Sequence, residues 1–365
     1  MTLAQKSLTT RLDELRGAAP AGRHNARTIA ALTANPGCAR RALLDAAAVD
    51  KTVIARELGF PPQFGQSPFA ITRGNSFEAM VKAHGCAELL RLLREELGLS
   101  IPEVGYHDLA TVGDNATNSI RYQRTKQLLG QALSSGQGTL FDHPMLRLEI
   151  AGATAYLEPD VVALQIGGKF YVVEIKSFAI VDGQADPTQV ASAARQSAVY
   201  VLAMRELLRD LGYSPDAVAH ESILVAARDF TNRPVAAKLD LRKQLAVIGR
   251  QLSRLTSIDS LLDLVPDGAS FTPGEGLADT VSAIPSRYAP ECMSSCELAF
   301  ACRAEARAQG SVDTLGRGVC DDLGGIDNLD TVLALAEGTL EPAPEHADIA
   351  EMLRQAHALR LEVAG

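Results

Sequence analysis

The stretch EPDVVALQIGGKFYVVEIKS, residues 158–177, constrains this chain more than any other. Two runs rich in Val, Ile and Leu flank Gly167-Gly168, and β-branched runs around a glycine pair read as a hairpin. In the second run Phe170 and Val172 point one way and Tyr171, Val173 and Ile175 the other. Apolar side chains on both faces mark a central strand of a covered sheet. Such a strand has little room for charge, yet the hairpin carries Asp160, Glu174 and Lys176. One reading is a strand end fraying into solvent, since Glu-x-Lys is a common triplet. The other is a site.

Register separates the two. A two-residue turn at Gly167-Gly168 pairs Asp160 with Ile175 and turns Asp160 away from Glu174. A three-residue loop, 166–168 or 167–169, shifts the pairing by one and puts Asp160, Glu174 and Lys176 on one face. Three-residue loops with a left-handed glycine are common, so an odd loop is expected here. Two carboxylates at ~4 Å repel by about 1 kcal/mol in water and several times more near a protein surface, so such a pair calls for a cation. Oxygen ligands suit Mg²⁺ or Mn²⁺. Such an ion polarises a phosphate and acidifies an attacking water, while a nearby lysine orients that water or offsets developing charge.

The rest of the chain is arranged around this hairpin. Its 365 residues suffice for one large domain or two ordinary ones, and 47% hydrophobic content allows a sizeable core. No run of about 18 uncharged apolar residues occurs, and the N-terminus lacks the apolar stretch of a signal peptide, so a cytoplasmic protein without a membrane span is expected. Residues 1–135 read as mostly helical and 136–270 as the core that holds the hairpin. Residues 271–365 carry cysteines and helices and form one compact unit with the rest. TLFDHPMLRLEI, TAYLEPDVVALQI and KFYVVEIKS read as a β-meander. A helix over 187–212 starts at Asp186-Pro187; ESILVAARDF is a buried strand, and a long helix is expected near 237–264. This order implies an α/β fold. The net charge of −9 excludes a uniformly positive coat but not a local basic groove.

Pro159-Asp160 followed by Glu174-Ile175-Lys176 resembles the signature of the PD-(D/E)XK nucleases. RQSAVY puts Gln196 and Tyr200 on one face of the next helix, similar to the Gln-x-x-x-Tyr pair of the RecB-like exonucleases. RGNSFEAM resembles their Gly-x-x-x-His element, with Glu78 in place of the histidine. His84, six residues on, lies about 240° round an unbroken helix and should point elsewhere. The resemblance implies a mixed central sheet of restriction-endonuclease-like type flanked by helices. It also implies Asp160, Glu174 and Glu78 as Mg²⁺ or Mn²⁺ ligands, Lys176 as the residue that assists the water, and Gln196 and Tyr200 beside them.

Six cysteines in such a chain are ligands or buried thiols rather than a disulfide framework. ECMSSCELAFACR brings Cys292, Cys296 and Cys302 within reach of one centre, and Cys38 lies far upstream in NPGCARRALLD. A lone N-terminal cysteine with a C-terminal trio resembles nucleases of the AddB kind and the related CRISPR-adaptation nucleases. That likeness implies a 4Fe–4S cluster joining the helical segments at both ends of the chain; a Cys₄ zinc site is the competing assignment. Cys86 reads as core, and Cys320 as either an exposed thiol or a substitute ligand.

Arg40-Arg41, the group Arg121, Arg124 and Lys126, and the group Arg242, Lys243, Arg250 and Arg254 would line a phosphate-tracking groove or form ordinary solvated faces. Few aromatics, and no tryptophan, argue against extensive base stacking. The expected function is a nuclease of low sequence specificity acting on DNA, with single-stranded ends preferred and RNA left open. Its expected settings are repair, CRISPR adaptation or antiphage defence. The alternatives are a catalytically silent module that grips nucleic-acid ends or a partner complex, and a phosphoesterase acting on small molecules. No Walker P-loop is present, so any unwinding would fall to a separate helicase or defence-complex subunit.

Overall fold

The computed structural model describes the chain except for residues 1–6, 21, 23–24, 32–34, 36–37, 63–67, 96–97, 99–104, 111–116, 137, 151–152, 167–168, 230, 256–258 and 365. Nine strands are described: β1 (Gly105–Asp108), β2 (Thr139–Asp142), β3 (Leu146–Ile150), β4 (Ala153–Leu157), β5 (Val161–Ile166), β6 (Lys169–Val181), β7 (Gln184–Ala185), β8 (Val218–Arg228) and β9 (Pro234–Asp240). They form a sheet in the order β1-β2-β5-β6-β8-β9, with β7 on the far end of β6, and a separate β3-β4 ribbon. The β1/β2 and β6/β8 pairs are parallel; the remaining pairs of the main sheet are antiparallel. The chain is thus an α/β protein with a mixed central sheet flanked by helices.

The hydrophobic alternation in β6 makes it the middle of the molecule. Phe170 and Val172 enter one buried cluster with Ala198, Val201 and Met204 of the helix Pro187–Asp210. Val173 and Ile175 enter another with Phe77, Val81 and Leu89 of the helix Pro68–Glu95. Fully burying each such side chain contributes about 1.5–3 kcal/mol, so a register slip in β6 would cost both faces at once. The helix Pro187–Asp210 is the crossover that two parallel strands, β6 and β8, require. Its start is fixed locally: the Asp186 side chain accepts from the N–H groups of Thr188 and Gln189, and Pro187 occupies the first turn.

Four expectations need correction. The strands of 139–176 are not one meander, because β3 and β4 pair only with each other while β2 pairs with β5. β1 adds a strand inside the part read as helical. Residues 237–240 belong to β9, and the following helix is Arg242–Leu255; the alanines of PVAAKLD disguise an edge strand that β8 recruits by pairing. Finally, the helix from Pro68 is interrupted: Ala83 is extended, and His84, Gly85 and Cys86 have φ of 54°, 67° and 64°. The helical-wheel placement of His84 therefore does not apply. Cys86 is fully buried in the second cluster, as expected of a core thiol.

The first cluster also takes in Leu43, Leu44 and Ile54 from the N-terminal helices and Cys292, Cys296, Ala299 and Cys302 from the cysteine segment. A third, smaller cluster holds Val312, Leu323, Ile326, Leu335 and Ala350. No described helix is long and apolar enough to cross a membrane.

Candidate functional site

The register of the hairpin is the first determinant of the site. Val161, Val162 and Ala163 pair with Val173, Val172 and Tyr171, which continued by one residue sets Asp160 opposite Glu174. Ile166 pairs with Lys169, one step out of that register. The expected three-residue loop is therefore not what supplies the offset: both 166 and 169 lie in strands, and a β-bulge between Ala163 and Ile166 shifts the pairing instead. The connecting residues 167–168 themselves lie outside the described residues. The outcome for the side chains is the anticipated one, with Asp160 opposite Glu174 and Lys176 two residues further along the face of Glu174.

Asp160 is anchored twice. Its Oδ2 accepts the N–H of Ile175 at 2.7 Å, and its carbonyl accepts the N–H of His143 at 3.1 Å. Glu174 has no exposed surface; its Oε1 forms an ion pair with Lys176 Nζ, and its Oε2 has no hydrogen-bond partner. Burial, then the nearby Asp160, push the Glu174 carboxyl up to about 8 against the pull of Lys176. Asp160 is raised too, by burial first, with Lys176 opposing and Glu78 reinforcing the rise. Glu78, from the helix packed on the other face of the sheet, thus shares one electrostatic neighbourhood with Asp160, Glu174 and Lys176. Tyr200 is 4% exposed and receives a 3.0 Å hydrogen bond from Gln196 Nε2. Burial, then Glu174, push its hydroxyl well above the ordinary tyrosine value, so it stays protonated. Asp160 thus stands opposite Glu174 with Lys176 paired to it, Glu78 acts on them through its charge, and Gln196 reaches only Tyr200, whose hydroxyl feels Glu174.

A buried carboxylate with an unpartnered oxygen beside a second carboxylate costs several kcal/mol as long as both are ionised. Carboxylates in such a neighbourhood could hold a divalent cation, which would offset that cost.

Glu78 is itself held by residues that sequence reasoning missed. Lys82 Nζ lies 2.5 Å from Glu78 Oε1 and 2.7 Å from Asp142 Oδ1. His143 reaches the same two atoms, with Nε2 3.1 Å from Glu78 Oε1 and Nδ1 2.9 Å from Asp142 Oδ1. The Tyr106 hydroxyl donates to Asp142 Oδ2 at 2.7 Å. Burial alone would raise the Glu78 carboxyl, but the hydrogen bonds from His143 and Lys82 outweigh it and hold the group at about 2. Asp142 first, then Glu78, lift the His143 imidazole to about 9, so it is a cation at neutral pH. Asp108, Asp142 and His143 also bring ligand atoms within 4.8 Å of one another. The signals for this group were the i,i+4 pair Glu78 and Lys82 and the charged Asp142-His143 at the end of an apolar strand.

The cysteine segment packs into the first cluster. Cys38 begins the helix Ala39–Ala46, and Cys292, Cys296 and Cys302 are each 7% exposed. Burial, then Arg40 in opposition and Cys38 in support, leave the Cys302 thiol at about 11. Burial drives Cys296 to about 12, with Cys292 among its neighbours. Arg40 Nη1 lies 3.4 Å from Cys302 Sγ and 2.6 Å from Glu305 Oε2, and Asn35 Nδ2 lies 3.4 Å from Cys292 Sγ. Arg41 donates to the Ser295 carbonyl at 2.8 Å. Arg40 and Arg41 are thus neither a phosphate groove nor a solvated face; they are 2% and 4% exposed because they sit against the sulfurs. Cys38 thus neighbours Cys302, and Cys292 neighbours Cys296; thiolates so placed could hold a metal group. Cys320 lies elsewhere, its Sγ 3.4 Å from the Val312 carbonyl beside the third cluster. Arg121 is bound to Glu158 at 2.5 Å, and Arg242 pairs with Asp240.

No family model matches the chain, and no curated protein matches it. Among solved structures it is similar to a candidate exonuclease from Eubacterium rectale, at 12% identity over 71% of this chain and 87% of that one, with a TM-score of 0.28. It is also similar to the protein SSO0001, at 13% identity over 46% of this chain and 84% of that one, with a TM-score of 0.19. Likenesses this loose leave the site to rest on the chain's own geometry.

Proposed function

We propose that the chain is a metal-dependent nuclease of the RecB-like PD-(D/E)XK type, an exonuclease of low sequence specificity that hydrolyses DNA. The observation that carries this reading is the fully buried Glu174, opposite Asp160 and paired with Lys176, with an oxygen that no protein group satisfies.

In this reading Asp160, Glu174 and Glu78 hold Mg²⁺ or Mn²⁺, which when bound supplies a Lewis acid for the scissile phosphate and a more acidic water. Lys176 would position that water and offset the negative charge that grows on the phosphoryl oxygens as the water oxygen bonds to phosphorus and the ester P–O bond breaks. Tyr200, kept protonated by burial and Glu174 and held by the hydrogen bond from Gln196, would offer its own O–H to the site. Cys38, Cys292, Cys296 and Cys302 hold a 4Fe–4S cluster, with structural zinc as the alternative; this group fastens the two ends of the chain to the core and takes no part in hydrolysis. Single-stranded DNA ends are the favoured substrate, and a separate helicase would supply any unwinding.

Degradation of end-labelled single- and double-stranded DNA, with Mg²⁺ or Mn²⁺ and with EDTA, tests the reading. Asp160→Ala and Lys176→Ala are expected to lower the rate at least about 10³-fold with unchanged circular dichroism. Cleavage that survives both substitutions refutes the site. Metal-dependent DNA binding with no cleavage by the wild-type chain would instead identify a silent end-binding module.

A further inference from the structure

The carboxylate that stands where the RecB-like element has histidine needs support of its own. Asp160 and Glu174 are fixed by adjoining strands, but Glu78 arrives from a helix that breaks five residues later, at Ala83. Two buried cation contacts meet it there: Lys82, with its side chain 7% exposed, and the half-buried His143. Both contacts fall on Oε1, so Oε2 would be the atom to reach a cation. Both cations also touch Oδ1 of Asp142, whose Oδ2 takes the Tyr106 hydroxyl. Lys82 Nζ also lies 3.2 Å from His143 Nε2, so the two nitrogens crowd the same pair of carboxylates, and Asp142 is engaged by protein donors. His143 makes one more connection. β2 ends at Asp142, opposite Val161, so the next residue stands beside Asp160, and its N–H donates to the Asp160 carbonyl. Its φ of 48° is a left-handed conformation, which histidine enters more readily than most side chains, and the ring leaves the strand toward Glu78.

We infer that Lys82 and His143 are positioning residues for the divalent cation: they hold Glu78 by one oxygen, and His143 couples that carboxylate to the backbone of Asp160. This rests on the metal-site reading above. Groups that orient metal ligands typically govern affinity by 10–100-fold.

The test is Mn²⁺ binding to the full chain without DNA, read as loss of the free-ion electron paramagnetic resonance signal. Asp160→Asn is the control for the site and should abolish binding. His143→Gln and Lys82→Met should each weaken it by about 10–100-fold, and Lys82→Arg should restore it to within about threefold of wild type. In a Glu78→Gln background, adding His143→Gln should change affinity less than about twofold, because the residue acts through Glu78. If Lys82→Met fails to fold, His143→Gln, at the end of a strand and half-exposed, carries the test. Wild-type affinity in both variants, with Asp160→Asn inactive in binding, overturns the inference and leaves the site standing. A full further loss in the Glu78→Gln background also overturns it. Unchanged binding in Asp160→Asn overturns the metal-site reading itself, and the inference with it.

Discussion

At the scale of single residues, Glu174 sets the terms. Its carboxyl has no exposed surface, and burial with Asp160 alongside lifts it from the ordinary 4.5 to about 8. The metal-free folded chain therefore holds this proton more tightly than the unfolded chain does. The stabilisation is complete below about pH 4.5 and is lost as pH rises through about 8. Urea unfolding of EDTA-treated protein between pH 6 and 8 should show a loss of up to about 1.4 kcal/mol per pH unit from this group. Glu174→Gln should flatten that slope, and saturating Mn²⁺ should reverse it in the wild type. An equal slope in Glu174→Gln would place the titration elsewhere. Asp160, Glu174 and Lys176 were legible in the sequence because charge in an apolar alternation is a local anomaly. Lys82 and His143 were not, because a lysine on a helix and a histidine after a strand are unremarkable until tertiary contact joins them.

At the scale of elements, the segments that flank the sheet are tied by buried charge. Asp45, 1% exposed, pairs with Arg41 at 3.1 Å through one oxygen and with Lys51 through the other. Asp45→Ala leaves two buried cations facing each other and should destabilise the chain by about 3–5 kcal/mol in urea unfolding, far beyond a surface substitution. Arg41 extends that group to the carbonyl of Ser295, between two of the cysteines. Anaerobically purified protein should absorb visible light, and Cys292→Ser should lose that absorption together with melting temperature. A colourless protein with one zinc per chain would assign the centre to zinc. The spacing of the cysteine trio is what points to such a group. The burial of Arg40 and Arg41 was invisible beforehand, since paired arginines on a short helix normally face solvent.

At the scale of the whole molecule, the proposed function asks a chain of net charge −9 to bind a polyanion, which takes a local arrangement rather than a general field. Binding of labelled single-stranded DNA to the Lys176→Ala protein in Mg²⁺ should fall with salt at a log–log slope of about −0.7 for each phosphate engaged. It should disappear on chelation, because the divalent cation is what reverses the sign at the carboxylate face. Binding that persists in EDTA would point to a basic surface elsewhere.

The amino-acid order by itself determined the central strand, the helix that follows it and the α/β class. Each of these follows from a repeat of two or 3.6 residues, or from a cap that neighbouring residues complete. Only the tertiary structure decided the register, because a bulge and an odd loop bring the same residues to the same face and local pattern cannot tell them apart. It alone decided that Glu78 meets Lys82, Asp142 and His143, since that contact joins a helix on one layer to a strand end sixty residues away and is made by packing, not by sequence proximity.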